Sequence, residues 1–154
     1  MIERVEPEQL RARAIALKNE GFAMLLDIGG VDYPDRPLRF EVIYQLLALA
    51  PRVATLAEVG TPKRYQLTVA VGGATPTVPS LADLWPSADW AEREVFDLFG
   101  VQFSGHPDLR RIQMPTDWEG HPLRKDYAVR GPAHEATPLP SFPSKSHVPA
   151  STPA

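Results

Sequence analysis

Cysteine is missing altogether from these 154 residues. That excludes a disulfide framework, a thiolate zinc site and cysteine-ligated iron–sulfur clusters, and it suits a reducing compartment. Long hydrophobic runs are missing too. The longest, around Val42–Ala50, is broken by Gln45 and is too short to span a bilayer. Met1–Pro7 is charged and no apolar stretch follows it, so a signal peptide is not expected. Nor is one sign of charge dominant. The net charge is −3, and residues 104–130 hold five basic against four acidic groups, a mixture rather than the basic stripe that nucleic acid demands. The length suits one domain with a core of its own.

What is present alternates and recurs in readable ways. Pro7 at a first helical position, Leu10, Ala14 and Leu17 on one stripe, and Gly21 beyond predict a helix over 7–19. Phe22, Met24, Leu26 and Ile28 alternate with less apolar neighbours, predicting a strand that ends at Gly29-Gly30. After a turn at Pro34-Asp35, Leu38, Phe40, Val42, Tyr44 and Leu46 alternate again over 38–49. Tyr65, Leu67, Val69 and Val71 mark a third strand, while 51–62 reads equally as loop or short strand. Strands with one apolar and one polar face pair antiparallel under helices on one side, which predicts an α+β two-layer domain over 1–127. Ser80-Leu-Ala-Asp83 has the form of a capping box opening a short helix. Ser87 is expected to cap a second helix over 88–99, closed by Gly100. Residues 131–154 hold six prolines and only Glu135 and Lys145 as charges. The segment 128–154 is therefore either disordered or an extended arm that orders on a partner.

On a helical wheel, Ala88, Ala91, Val95, Leu98 and Phe99 form the core side of that second helix. Trp90, Arg93, Glu94 and Asp97 gather opposite, with Arg93 and Asp97 four residues apart. A tryptophan among charges on a wet face points to contact with a partner, because Trp and Arg are enriched where binding energy concentrates.

One tripeptide occurs twice. Gly105-His106-Pro107 leads to Asp108, Arg110 and Arg111, and Gly120-His121-Pro122 leads to Arg124, Lys125 and Asp126. Each proline biases its histidine toward extended geometry. A metal site would need three or four convergent ligands, and neither a recognised spacing nor a thiolate is at hand. Acid–base or nucleophilic catalysis lacks a G-x-S-x-G elbow or a cysteine for the histidines to activate. An oxyanion cradle built from Arg110, Arg111, Arg124 and Lys125 is chemically reasonable, although no glycine-rich phosphate loop accompanies it. Turn-held, charged, aromatic positions without a nucleophile describe a docking surface best.

The run Trp90-Ala-Glu92-Arg93-Glu94-Val-Phe-Asp97-Leu-Phe-Gly100-Val-Gln-Phe103, with Gly105-His-Pro-Asp-Leu-Arg-Arg-Ile112 and Gly120-His-Pro-Leu-Arg-Lys-Asp-Tyr127, resembles the signature of the 30 kDa (C-type) subunit family of NADH:quinone oxidoreductase, respiratory complex I. The resemblance implies a structural subunit of the peripheral arm with no cofactor on this chain. FMN, iron–sulfur clusters and quinone would belong to partner subunits, chiefly the large (D-type) chain of the quinone site. It implies peripheral placement on the cytoplasmic side of the cell membrane, with membrane contact only through the complex. Carried onto this sequence, Glu92, Arg93, Glu94, Asp97, both histidines, the basic pairs, Asp108 and Asp126 become contacts between subunits. Gln113 stands where the family usually has an aliphatic residue, which implies local repacking. Relatives also occur in membrane-bound hydrogenases and in ferredoxin-fed complexes, so the electron donor stays open.

Overall fold

The computed structural model describes residues 1–49 and 61–129. A short strand β1 (Ile2–Val5) is followed by helix α1 (Pro7–Asn19), which opens with Pro7 in its first turn and buries Leu10, Ala14 and Leu17 completely. Its end is shaped by Gly21, whose φ of +101° is open to glycine at little cost. Three long strands come next in chain order: β2 (Met24–Asp32), β3 (Phe40–Ala48) and β4 (Lys63–Val71). They pair antiparallel, and β1 adds to the far side of β4 in parallel, giving the order β1-β4-β3-β2. Two three-residue strands, β5 (Thr77–Pro79) and β6 (Gln102–Ser104), pair in parallel beside helix α2 (Ser87–Phe99).

Register explains the core. Phe40, Val42, Tyr44 and Leu46 stand opposite Val71, Val69, Leu67 and Tyr65, so the alternating apolar residues of β3 and β4 share one face. That face receives Leu10 and Leu17 of α1 and Val95 and Phe99 of α2 in a single cluster. The two-layer α+β reading, mostly antiparallel with helices on one side, holds. The turn at Pro34-Asp35 is also found, closed by the Arg36 N–H donating to the Tyr33 carbonyl at 3.0 Å.

Several local expectations do not hold. β2 continues through Gly29-Gly30 to Asp32 instead of ending there. A bulge between Leu25 and Asp27 reverses the alternation, so Leu25 turns inward and Met24 and Leu26 are exposed. Gly30 is needed inside the strand because a Cβ there would lie 2.6 Å from the Phe99 ring. Leu38 is exposed and precedes β3. Ser80–Asp83 makes a single turn, not a helix: both Leu84 and Trp85 donate to the Leu81 carbonyl, Ser80 turns to Glu92, and Asp83 is held by Arg11. Ser87 is already helical, and its hydroxyl donates to the Leu25 carbonyl at 2.9 Å, tying α2 to β2 instead of capping. Gly100 does close α2, in the left-handed region at φ +75°. Positions 61 and 62 lie outside any strand; the rest of the ambiguous 51–62 stretch, and the arm from 130 onward, are outside the described residues. Among the described residues no helix is long and apolar enough to cross a membrane.

Candidate docking surface

Helix α2 buries two faces, not one. The side opposite the sheet is covered by the chain's own residues 105–127, which fold back along it through the charged side chains. Glu92 and Asp97 are fully buried and Arg93 nearly so, but the cover is the chain's own residues where contact with a partner was expected. Arg93 donates instead to the carbonyls of Arg110 and Arg111, at 3.2 and 3.4 Å.

Asp97 is the centre of the arrangement. One carboxylate oxygen takes Arg111 at 2.5 Å, and the other accepts the backbone N–H groups of Ile112, Gln113 and Met114 at 2.7–3.0 Å. Burial pushes its pKa up, but these N–H groups and the Arg111 guanidinium prevail and hold it below the usual carboxylate range. Arg111 also donates to the Gly120 carbonyl at 2.9 Å, linking the two repeated tripeptides. Gln113 donates its side-chain amide to Glu94 at 3.2 Å, a polar contact that an aliphatic residue could not make.

The second tripeptide finishes the helix. A helix leaves its last four carbonyls without partners. Here the Phe96 carbonyl accepts from Gly100 N–H, Asp97 from the His121 ring at 2.8 Å, Leu98 from Leu123 N–H at 3.0 Å, and Phe99 from Arg124 Nε at 2.6 Å. A carbonyl can only accept, so His121 carries its hydrogen on Nδ1. Burial lowers the His121 pKa, outweighing the pull of that carbonyl. Gly100 has no room for a side chain because the Arg124 guanidinium and the His121 ring occupy it.

The first tripeptide grips the start of α2. His106 donates from Nε2 to the Asp89 carbonyl at 3.1 Å and accepts the Asp108 N–H on Nδ1 at 3.0 Å. Its Nε2 lies 3.9 Å from Glu92, whose carboxylate accepts from the Ser80 hydroxyl at 2.6 Å and the Leu81 N–H at 2.7 Å. Burial raises the Glu92 pKa against those bonds.

A clasp that motif reading missed completes the surface. Arg39 grips Asp32 at 2.6 and 2.7 Å and Asp126 at 2.7 and 2.9 Å, and Asp32 accepts the Lys125 N–H at 2.7 Å. The Arg39 bonds hold Asp126 down to about 2 and lower Asp32 as well. Asp32 and Arg39 sit 87 or more residues from their C-terminal partners, so no local motif announces them; only a buried aspartate among β residues hints at it.

The four basic residues offered as an oxyanion cradle do not converge: Arg111 holds Asp97, Arg110 holds Asp108 at 2.7 Å, Arg124 caps Phe99, and Lys125 is exposed. Among the described residues no group of three or more His, Asp or Glu is placed to hold a metal ion. What remains accessible is Trp90, 66% exposed with Arg93 5.4 Å over its ring, together with Glu94 in part, Asp108, Arg110, Lys125 and Asp126.

Residues 3–133 match the family described as respiratory-chain NADH dehydrogenase, 30 Kd subunit. The chain is 46% identical over 125 residues to the C-type subunit of NADH-quinone oxidoreductase from Roseiflexus castenholzii, covering 79% of this chain and 66% of that one. With the C-type subunit from Erythrobacter litoralis it shares 47% over 110 residues, 71% of this chain and 40% of the relative. It thus spans about two thirds or less of these curated relatives. Among solved structures, the trypsin-resistant fragment (1-134) of Nqo5 superposes with a TM-score of 0.59 at 38% identity, covering 70% of this chain and 81% of the fragment. A chain of an archaeal membrane-bound sulfane sulfur reductase, a respiratory membrane complex, reaches 0.67 at 25% identity, covering 83% and 71%.

Proposed function

This chain belongs to the 30 kDa subunit family of respiratory-chain NADH dehydrogenase, and we propose that it is a structural subunit in the peripheral arm of an ion-pumping NADH:quinone oxidoreductase. In this reading it carries no redox group. FMN, the iron–sulfur clusters and quinone lie in other subunits, it docks on the large quinone-site chain, and it meets the cytoplasmic face of the membrane only through the complex. The supporting observation is how the signature residues are used. His106, His121, Arg93, Asp97 and Arg111 commit their hydrogen bonds to pinning residues 105–127 onto α2. They are fixed in place as parts of a rigid platform, and the platform presents Trp90 with a rim of both charge signs, which is how a specific protein interface is commonly composed.

The test is Trp90→Ala in the full complex. Its side chain is exposed, so the fold should survive, while loss of a tryptophan at the centre of an interface costs about 2 kcal/mol or more in assembly. The amount of assembled complex and NADH:quinone activity should fall together, with turnover per assembled complex unchanged. Intact assembly with slowed turnover would contradict a purely structural role. A second reading, the equivalent subunit of a related complex with another electron donor, draws support from the likeness to the sulfane sulfur reductase chain. Reduction of the purified complex by NADH separates the two.

A further inference from the structure

We propose that the cleft between Arg124, Lys125 and the apolar side chains of Leu123, Tyr127 and Val129 seats a segment of a partner subunit that brings a carboxylate flanked by apolar residues. The inference rests on the docking reading above and adds which surface is used and what chemistry fills it. The cleft encloses about 430 Å³. Leu123 and Val129 are exposed there, so its apolar wall faces solvent in the isolated chain.

The local charge balance points to an anion. Two carboxylates lie near, Asp32 and Asp126, but Arg39 holds each with two hydrogen bonds. Arg39 and Arg124 both rest 5.1 Å from the Phe40 ring, so the second guanidinium lies beside a cation already satisfied. Among the described residues the Arg124 guanidinium donates only to the Phe99 carbonyl, a neutral acceptor, and Lys125 makes no ion pair. The charged neighbours of Arg124 are thus Arg39, Asp126 and Asp32, with Lys125 next to it in the chain and also lining the cleft. Desolvation, then the neighbouring Arg39, make the Arg124 charge costly to hold. A carboxylate placed against Arg124 and Lys125 would relieve that cost, and arginine presents a planar fork suited to it. The apolar wall asks for side chains beside the acid, which a free inorganic anion does not supply. The Asp32–Arg39–Asp126 clasp meanwhile ties the backbone of Lys125 and the side chain of Asp126 to the sheet.

The test uses the full chain in the assembled membrane complex, with the photocrosslinker p-benzoylphenylalanine in place of Leu123. The crosslink should fall on another subunit of the assembly, in a segment containing Asp or Glu next to apolar residues. Independently, Lys125→Glu, a change in an exposed side chain that contributes only its backbone N–H to the fold, should lower recovery of the chain in the complex about tenfold at low salt and less at high salt. Changing the crosslinked acid to lysine should restore recovery of the Lys125→Glu chain. The proposal is overturned by crosslinks into the chain's own residues 130–154, into lipid, or to nothing, and equally by a Lys125→Glu chain recovered as well as the parent. A parent chain that never enters the assembly overturns the docking reading along with it, whereas assembly without a partner crosslink overturns this site alone.

Discussion

The Asp97 carboxylate holds Arg111 and three successive backbone N–H groups at once, so its charge state controls how residues 111–114 lie on α2. Asp97→Asn keeps one acceptor but faces Arg111 with an amide, leaving a partly buried guanidinium unpaired. It should cost about 3 kcal/mol in urea unfolding, within the range for breaking a buried pair. The pH dependence has two limbs. Asp97, Asp32 and Asp126 have folded pKa values below their unfolded ones, so what they contribute is present at neutral pH and lost as pH falls from the ordinary carboxylate range, for Asp126 toward about 2. Glu92 runs the other way. Its folded pKa is raised, so its contribution is complete below the unfolded value and is lost as pH rises through the folded one. His121, whose folded pKa is lowered, acts with the aspartates, its contribution growing as pH rises toward the ordinary histidine value. Glu92→Gln should therefore remove the downward contribution on the upper limb and leave the acid limb in place; an unchanged upper limb would mean that Glu92 is not ionising with a penalty.

At the scale of elements, helix α2 is held by what surrounds its ends and faces. Gly100→Ala would strain a φ of +75° and drive a methyl group into Arg124 and His121 together. We expect a loss of about 1–3 kcal/mol, as for other overpacked sites. Amide exchange should show faster opening at Leu123, Arg124 and Tyr127, whose N–H groups bond within this cap, while β3 and β4 stay protected. Unchanged exchange at 121–127 would show that the cap does not depend on Gly100. The same helix marks how far sequence reading reaches. α1, β3, β4 and the end of α2 at Gly100 were legible because periodicity and a glycine stop are local signals. β1 hides in four residues with two charges, and β5 and β6 are too short for a period to register. The bulge at Leu26 shifts β2 by one residue, which alternation cannot reveal. The wheel assigned the polar side of α2 to solvent or a partner because it assumes one buried face. The chain itself covers that side, and Asp97 and Arg93 bond within the chain.

For the molecule as a whole, the division of labour follows from which side chains are already engaged. The histidines, Asp97, Arg93 and Arg111 consolidate a platform; Trp90, the Asp108–Arg110 pair and the cationic cleft around Lys125 face outward. Phe40→Ala tests whether the two halves are one body, because its ring lies in the sheet core and under both Arg39 and Arg124. A loss of about 3–5 kcal/mol in a single cooperative transition is expected for so buried an aromatic; two separated transitions would show that the 105–127 layer melts independently of the sheet. Membership of a large redox assembly can be checked by co-purifying the tagged chain from gently solubilised native membranes, identifying its partners and assaying NADH:quinone activity. Recovery in a flavin- and iron–sulfur-containing complex that reduces quinone with NADH is the predicted result. Recovery as a lone protein without those partners would contradict it.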